Sequence, residues 1–208
     1  MIPIKVLTVD DHPILREGIA AIIENHADIV LVGEAGNGRE AIECFRKLHP
    51  DVTLMDLVMP EMNGIDATIA IRKEFPNARI VVLTTYKGDV QAAEALEAGA
   101  CGYLLKSTLR KDLLDTIRSV HGGHRRIPPE IAIAMAEHHS SDTLSERELQ
   151  VLQQVAAGNA NKIVAVHLSI SEDTVKGHVK AILAKLGAND RTHAVTIALK
   201  RGIISLEE

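Results

Sequence analysis

The stretch Asp51-Val52-Thr53-Leu54-Met55-Asp56 places an acidic residue directly after a run of mostly apolar residues. A short run of this kind predicts a strand that is buried on both faces of a sheet. An unpaired carboxylate at the end of such a strand is costly to bury, so we expect Asp56 to have charged partners. The stretch therefore predicts a parallel sheet with a charged site at its edge.

Two other apolar runs end in charged residues and supply the expected partners. Lys5-Val6-Leu7-Thr8-Val9 precedes Asp10 and Asp11, and Tyr103-Leu104-Leu105 precedes Lys106. If these runs are neighbouring parallel strands, their carboxyl ends meet at one edge of the sheet, where open α/β folds bind ligands. Three carboxylates and one lysine would then share a small site.

Strand-like and helix-like segments alternate from residue 4 to about residue 121. We predict strands near 4–9, 29–34, 51–55, 79–83 and 101–105, each followed by a segment with helical spacing. This alternation predicts an α/β fold, namely a doubly wound sheet of five parallel strands with helices on both faces.

Glycine and proline interrupt the alternation after residue 121. Gly122-Gly123-His124-Arg125-Arg126-Ile127-Pro128-Pro129 predicts a boundary, and Pro129 can begin a short helix over 130–138. A polar hinge follows at 140–143, and only helical spacing is found beyond it. We therefore predict three regions, which are a first domain over 1–121, a linker with a short helix over 122–143, and a small all-α domain over 144–208.

Capping residues indicate four short helices in this last region. Ser145 and Glu148 form a capping box, and a second helix is predicted over 162–167. The third helix is predicted to begin after Ser171 and to end at Gly187, and the fourth to run from Asp190 to about residue 201. The tight turn Ser169-Ile170-Ser171 between the second and third helices predicts a helix-turn-helix.

Composition and charge limit the classes of function. The chain of 208 residues is 46% apolar with a net charge of −5, and residues 1–120 hold 13 basic against 18 acidic residues. Residues 159–201 hold seven basic against three acidic residues. There is no apolar stretch of about 18 residues and no signal sequence, so we expect a cytoplasmic protein without a membrane partner. Cys44 and Cys101 have no metal-ligand spacing and are predicted to be ordinary core thiols.

The predicted edge of the sheet suits phosphoryl chemistry. Asp10, Asp11 and Asp56 would form an oxygen site of high negative charge, which Mg²⁺ prefers. The same site suits a phosphoryl group, because a metal ion and Lys106 can neutralise charge while an aspartate attacks phosphorus. Taken singly, any of these aspartates could instead cap a helix or stand in a turn. His12 is expected to be a loop or packing residue.

The segments Leu54-Met55-Asp56-Leu57-Val58-Met59-Pro60-Glu61-Met62-Asn63-Gly64 and Gly102-Tyr103-Leu104-Leu105-Lys106 resemble the receiver domain of bacterial two-component response regulators. The resemblance covers residues 4–121 and implies a flavodoxin-like fold. It also implies that a sensor histidine kinase phosphorylates Asp56 and that the cofactor is Mg²⁺. The implied metal ligands are Asp10, Asp11, Asp56 and the backbone carbonyl of Val58.

The same resemblance implies a conformational response to phosphorylation. Thr84, which lies 28 positions after Asp56, would turn its hydroxyl toward the phosphoryl group. Tyr103 would follow this movement, and Lys106 would contact the phosphate. Because phosphorylation adds about −1.5 to −2 charge and three acceptor oxygens, a nearby hydroxyl and ammonium gain new partners.

The last region carries a second resemblance. Leu144-Ser145-Glu146-Arg147-Glu148-Leu149-Gln150-Val151-Leu152 and Thr174-Val175-Lys176-Gly177-His178 resemble the LuxR-type domain, and the whole chain resembles a NarL/FixJ-type response regulator. The resemblance implies a transcription regulator that binds double-stranded DNA through a recognition helix over 171–186. The implied DNA-binding residues are Lys162, Thr174, Lys176, Gly177 and Lys180. A homodimer formed upon phosphorylation or on DNA is expected, and RNA polymerase is a candidate partner.

Gly177 differs from the other implied DNA-binding residues, because it cannot contact a base through a side chain. It offers no side chain at a position facing the groove, and glycine within a helix costs roughly 0.5 to 1 kcal/mol relative to alanine. Either the backbone approaches DNA closely there or readout of that base is weak.

Two other classes of function stay open at this point. A Mg²⁺-dependent phosphotransferase or phosphatase would share aspartyl-phosphate chemistry, but adjacent Asp10 and Asp11 do not have the spacing of a nucleophile and acid pair. A module that keeps the fold without phosphorylation would not need every site residue to be present. We predict a regulator that modifies only itself, and thus not an enzyme.

Overall fold

A computed structural model describes residues 2–85, 89–137 and 144–204. The chain divides into two compact units. The first contains the chain up to Thr85 together with Ala92–Pro129, and the second contains residues 89–91 and the chain from Glu130 onward. Among the helices of the described ranges, none is long and apolar enough to cross a membrane.

The first unit is a parallel sheet of five strands in the order β2-β1-β3-β4-β5. Its elements are β1 (Ile4–Val9), α1 (Pro13–Glu24), β2 (Ile29–Ala35), α2 (Gly38–Leu48), β3 (Val52–Asp56), α3 (Gly64–Glu74), β4 (Ile80–Thr84), α4 (Asp89–Glu97), β5 (Gly102–Leu105) and α5 (Leu109–His121). A short 3-10 turn, Lys106–Thr108, joins β5 to α5. The predicted doubly wound α/β fold is confirmed.

Helices cover both faces of this sheet, as the buried apolar strands require. One apolar cluster joins strand residues such as Leu54 and Leu83 to Ile19 of α1 and Ile117 of α5. A second cluster on the other face joins the sheet to α2 and α3. Cys44 and Cys101 are free thiols at the margins of these clusters and are partly, not fully, buried.

Three strands, β2, β3 and β4, end one residue later than the sequence pattern indicated, and in β3 and β4 the additional residue is polar. Asp56 is the last residue of β3 and pairs with Leu83, while Thr84 is the last residue of β4 and pairs with Leu105. The reason is that the parallel ladder continues as long as the neighbouring strand offers backbone partners, whatever the polarity of the side chain. Both polar residues are thereby held on the rigid sheet.

The first residues after α5 lie against the free edge of β5. Arg126 forms an isolated parallel bridge with Gly102, donating its N–H to the Cys101 carbonyl over 3.1 Å. Its own carbonyl accepts the N–H of Tyr103 at 2.8 Å. The predicted linker therefore begins with a segment that pairs with the sheet, and α6 (Pro129–Glu137) follows it. His138 and the predicted hinge at 140–143 lie outside the described residues.

All the regular secondary structure that is described in the second unit is helical. Beyond α6 it contains α7 (Glu146–Ala156), α8 (Asn161–Leu168), α9 (Glu172–Leu186) and α10 (Arg191–Arg201) around one apolar core. Ser145, Ser171 and Asp190 cap the helices that follow them, and Gly187 ends α9 in the left-handed conformation. The capping box of Ser145 and Glu148 is present. These local signals placed the helices correctly because each cap satisfies backbone groups that a helix end leaves free.

Candidate functional site

The carboxyl edge of the sheet brings Asp10, Asp56 and Lys106 together. The Lys106 Nζ atom lies 2.7 Å from Asp10 Oδ2 and 2.8 Å from Asp56 Oδ2. All three side chains are largely or fully buried, with exposed fractions of 13% for Lys106, 4% for Asp56 and 0% for Asp10. One ammonium group is thus shared by two buried carboxylates, so the cluster keeps an excess negative charge.

Burial sets the ionisation of Asp56. Removal from water raises the pKa of its carboxyl to about 6, although the hydrogen bond and charge of Lys106 act in the opposite direction. The charge of Asp10 also raises this pKa, and a backbone hydrogen bond with Val58 lowers it. For Lys106 burial acts to lower the pKa, but its bonds to Asp10 and Asp56 hold it above the usual value. The lysine therefore stays charged beside a carboxylate that is unusually basic.

The arrangement of ligand atoms fits a divalent cation. Asp10, Asp11 and Asp56 each offer a carboxylate oxygen, and these atoms lie within 4.8 Å of one another. Asp10 Oδ2 and Asp11 Oδ1 are buried without a well-directed hydrogen bond, although Lys106 Nζ supplies charge close to the former. Buried oxygens of this kind are what a hard cation such as Mg²⁺ would use. The residues present fit the ion that the sequence implies.

Two glycines allow the loop after β3 to lie close to the site. A Cβ atom added to Gly64 would overlap the Asp56 carbonyl oxygen, at 1.9 Å, and one added to Gly38 would lie 2.7 Å from Met62. The Gly64 N–H donates to the Leu57 carbonyl at 3.0 Å, and that of Gly38 to the Met62 carbonyl at 3.0 Å. The loop carrying Val58 is therefore held at both ends, and at Gly64 no larger residue fits.

The predicted switch residues contact each other. Thr84 and Tyr103 are both buried, with 2% and 1% of their surface exposed, and their side chains form a hydrogen bond. Burial raises the pKa of the Tyr103 phenol to about 12, so its hydroxyl remains neutral. A movement of the Thr84 hydroxyl would break or stretch this bond. The two buried side chains are therefore joined by one hydrogen bond.

Two residues beside the site were missed by the sequence analysis. Arg16 of α1 donates from Nη1 to the Asp10 carbonyl at 2.6 Å and from Nε to Glu34 at 3.0 Å. The Nδ1 atom of His12 lies 2.7 Å from Asp11 Oδ1 and 3.1 Å from Asp10 Oδ1. For Arg16 the signal was its position one turn into the helix after Asp10. For His12 the signal was its position directly after Asp10 and Asp11, which does not show where its side chain points.

The predicted DNA-binding residues lie on α8 and α9, and all five are exposed. Thr174 belongs to the N-terminal turn of α9, where Ser171 Oγ accepts its backbone N–H at 3.0 Å. Lys176 lies 3.0 Å from Asp173 and 3.6 Å from Glu172 on the same helix. Among the described residues no carboxylate lies within ion-pair distance of Lys180. Lys180 is therefore more available than Lys176 to bind a phosphate.

Helix α9 is fixed to its own unit by a charge pair. Lys185, near the end of α9, contacts Glu148 Oε2 at 2.6 Å, and this glutamate also accepts the backbone N–H of Ser145 at 2.7 Å. Burial alone would raise the pKa of Glu148, but its bonds to Lys185 and Ser145 hold it below the usual value. Glu148, which belongs to the capping box predicted from the sequence, therefore also holds the C-terminal half of α9 against α7.

Comparison with known proteins finds two family models that match separate segments of the chain. The model of the response regulator receiver domain matches residues 6–118, and that of the bacterial regulatory proteins of the luxR family matches residues 142–198. The transcriptional regulatory protein YdfI of Bacillus subtilis is 41% identical over 98% of this chain and 99% of its own length. The response regulator protein VraR of Staphylococcus aureus is 39% identical over 97% and 99%, respectively.

Solved structures of full-length regulators are also similar. The response regulator ChrA of a heme-sensing two-component system is 35% identical, covers 98% of this chain and all of its own, and gives a TM-score of 0.58. The response regulator RcsB, solved as a complex with DNA, is 26% identical over 95% of this chain and 98% of its own, with a TM-score of 0.69. This chain therefore belongs to the LuxR-family response regulators, which join a receiver domain to a LuxR-type DNA-binding domain.

Proposed function

We propose that the protein controls transcription through phosphorylation of Asp56 by a sensor histidine kinase, with Mg²⁺ as the cofactor. The observation that carries this proposal is the buried carboxylate of Asp56, held by Lys106 next to the buried carboxylate oxygens of Asp10 and Asp11. Such a carboxylate is a better nucleophile than an exposed one, since burial makes it more basic.

Each residue of the site has a distinct task in phosphoryl transfer. An Asp56 oxygen attacks phosphorus, and the bond from phosphorus to the kinase imidazole breaks with its electron pair remaining on that nitrogen. Asp10, Asp11, Asp56 and the Val58 backbone carbonyl would hold the cation, which neutralises charge on the phosphoryl oxygens when bound. Lys106 remains protonated and moves its ammonium from the Asp56 carboxylate to a phosphoryl oxygen.

The proposed response begins at the bond between Thr84 and Tyr103. A phosphoryl group on Asp56 offers three acceptors, and Thr84 lies one residue beyond the strand partner of Asp56 on β4. Turning the Thr84 hydroxyl toward phosphate leaves the buried Tyr103 hydroxyl without that partner. The loss of a hydrogen bond changes the stability by about 0.5 to 1.5 kcal/mol, enough to bias the packing around β5.

The proposed output is sequence-specific binding of double-stranded DNA. Lys162 and Thr174 would contact the phosphate backbone, and Lys176 and Lys180 would contact phosphates or base edges. Gly177 would leave room for the groove to approach the helix backbone. We propose that the regulator binds as a homodimer when phosphorylated or on DNA, since two-fold sites match a two-fold protein.

The remaining assignments follow from this role. The protein acts in the cytoplasm, where its kinase partner and chromosomal DNA are accessible, and RNA polymerase is a further candidate partner. Its chemistry is limited to its own phosphorylation, so it is a regulator and not an enzyme with a separate substrate.

Mass spectrometry tests the proposal directly. Incubation of the full chain with acetyl phosphate and Mg²⁺ is expected to add one phosphoryl mass, which Asp56→Asn removes. The matched control is Asp115→Asn, an aspartate of α5 with a side chain that is 75% exposed, which should be phosphorylated like the original protein. Phosphorylation that persists in Asp56→Asn would contradict the assignment of the acceptor.

A second measurement joins phosphorylation to DNA. Footprinting on genomic fragments with and without acetyl phosphate is expected to show protection that depends on Asp56. Release of inorganic phosphate from added small phosphoesters, at rates above that of the phosphorylated chain itself, would instead favour a phosphatase.

A further inference from the structure

Residues 124–127, which we name the edge segment, pair with the outer edge of β5. Arg126 donates its N–H to the Cys101 carbonyl at 3.1 Å and accepts the N–H of Tyr103 at 2.8 Å. These two bonds form the parallel bridge between Arg126 and Gly102. Because β5 is the last strand of the sheet, the edge segment covers backbone groups that no other strand of the sheet contacts.

The end of α5 directs the edge segment back along the sheet. Gly123 has a φ of 88°, in the left-handed region that glycine adopts without strain. The His124 N–H donates to the Ser119 carbonyl at 3.1 Å, and the Gly123 N–H donates to the Val120 carbonyl at 3.0 Å. Bonds of this kind close a helix end and reverse the chain. The local sequence after α5 therefore sets where the edge segment begins.

Proline limits the pairing of the edge segment to one bridge. In a parallel ladder every second residue of a strand bonds to its neighbour, so the next bond would come from the N–H of residue 128. That residue is Pro128, which has no N–H to donate. Arg126 is also exposed, so water can replace its two backbone bonds. The edge segment is therefore held weakly and can separate from the sheet without unfolding of the core.

One of the two bonds comes from a proposed switch residue. Tyr103 donates its backbone N–H to the edge segment, while its buried side chain forms the hydrogen bond with Thr84. The same residue thus connects the interior of the site to the outer edge of the sheet. Because packed residues change between discrete arrangements, a new position of Tyr103 alters the geometry of its bond to Arg126.

We propose that the edge segment is a releasable strand, which is paired with β5 before phosphorylation of Asp56 and leaves β5 afterwards. The inference rests on the proposed function, because the signal reaches Tyr103 through Thr84, and it adds the step after Tyr103. Release turns residues 124–128 into free tether, and five extended residues span at most about 16 to 18 Å. A longer tether suits a homodimer that places two DNA-binding domains on two half-sites.

Amide hydrogen exchange, measured by NMR on the full-length chain, reads the two bonds directly. After addition of acetyl phosphate and Mg²⁺, we expect the amides of Tyr103 and Arg126 to exchange about tenfold faster, because both bonds are lost. The Cys101 amide is the internal control, since it donates to the Ile80 carbonyl of β4 at 2.8 Å and should change by less than about twofold. Asp56→Asn should show no acceleration at either amide.

Pro128→Ala tests the limit that proline sets on the pairing. The variant gains an N–H that can donate to the Tyr103 carbonyl, so the ladder can extend by one bond. We expect exchange of the Tyr103 amide to slow by about threefold or more, with less acceleration after phosphorylation. Pro129→Ala is the matched control. Successive residues of a strand direct their N–H groups to opposite sides, so this variant should leave the exchange unchanged.

Mass spectrometry of the same samples separates this inference from the function on which it rests. A chain that gains no phosphoryl mass contradicts both. A phosphorylated chain in which the Tyr103 and Arg126 amides exchange as before overturns only the release of the edge segment. The inference also fails if these amides exchange as fast as unpaired amides before phosphorylation, or if Pro128→Ala leaves their exchange unchanged.

Discussion

The two charged regions of this protein, the cluster at the sheet edge and the surface of α9, are built in opposite ways. Lys106 is 13% exposed and contacts two carboxylates at the carboxyl ends of β1 and β3, whereas Lys176 is 57% exposed and contacts acidic residues of its own helix. Buried charges must find partners through the fold, since water cannot solvate them. Exposed charges remain free to exchange a local partner for a ligand.

The difference explains what each region can do. The sheet edge holds a charge imbalance in a fixed geometry, which suits a reaction at one atom. The surface of α9 keeps its cations mobile and hydrated, which suits binding to a chain of phosphates with release of counterions. Five predictions, which use six substitutions, test this contrast and the two regions that carry it, and they are ordered by the size of the expected effect.

Removal of Lys106 should have the largest effect on stability. Lys106→Ala leaves Asp10 and Asp56 buried without their shared cation, which we expect to lower the free energy of unfolding by about 3 to 5 kcal/mol. Urea unfolding in a chelator measures this value. The exposed Lys111→Ala on α5 is the control and should change stability by less than about 0.5 kcal/mol. Equal losses in the free energy of unfolding for the two variants would contradict the expected difference between buried and exposed lysines.

Substitution of Gly64 tests the close approach of the loop to β3. Gly64→Ala puts a methyl group onto the Asp56 carbonyl oxygen, so the loop must shift at a cost of about 1 to 3 kcal/mol. Gly18→Ala in α1 is the matched control, because a Cβ atom there meets nothing within 4 Å. Gly18→Ala should be neutral or stabilising. If Gly64→Ala is as stable as the original protein and is phosphorylated normally, the loop is not fixed at this position.

Neutralising Asp56 should stabilise the protein, with a defined pH dependence. Its pKa is raised from 3.8 to about 6 in the folded chain, so the folded state loses stability as the pH rises from about 4 to 6. Asp56→Asn avoids this loss, and we expect it to be about 1 to 3 kcal/mol more stable at pH 8 in a chelator. The difference should shrink as the pH falls to 4, as urea unfolding across this range would measure.

The two lysines of α9 should contribute unequally to DNA binding. Lys180→Ala is expected to reduce the slope of log affinity against log salt by about 1. Lys176→Ala should reduce it by less, because Asp173 and Glu172 already neutralise part of its charge. Titration of a footprinted fragment at several salt concentrations measures both slopes. A larger effect for Lys176 would mean that it leaves its acidic partners completely on DNA.

The smallest expected change in stability comes from Gly177. A Cβ atom at this position meets nothing within 4 Å, so Gly177→Ala should stabilise the second domain by about 0.5 to 1 kcal/mol. If the helix backbone lies close to DNA, the same variant should bind DNA more weakly. Thermal unfolding and DNA titration of one preparation separate these effects. Higher stability with unchanged DNA affinity would indicate weak readout at this position.

Most of the fold was accessible from local patterns. The buried apolar runs indicated the strands, and Ser145, Ser171 and Gly187 indicated helix ends, because a cap depends only on residues a few positions away. What the patterns missed depends on neighbouring strands. The inclusion of Asp56 and Thr84 in their strands follows from backbone pairing with β4 and β5.

The sequence predicted which residues form the candidate site, but it did not predict which of their atoms contact each other. Sequence position placed Asp10, Asp56 and Lys106 at one edge, yet did not indicate that a single ammonium group contacts both carboxylates. The direction of His12 and the pairing of Arg126 with β5 were also inaccessible. Each is decided by the path of the chain through a turn, which depends on tertiary packing.

The sequence by itself determined the parallel sheet, the capped helices and the identity of the charged residues, since these follow from periodicity, turn chemistry and the cost of burying charge. Only the tertiary structure decided how those charges are shared. It raised the pKa of Asp56, gave Lys106 two partners and left Lys180 apart from the acidic residues of its helix. Distances between residues far apart in sequence set these properties, because electrostatic energy depends on separation and burial.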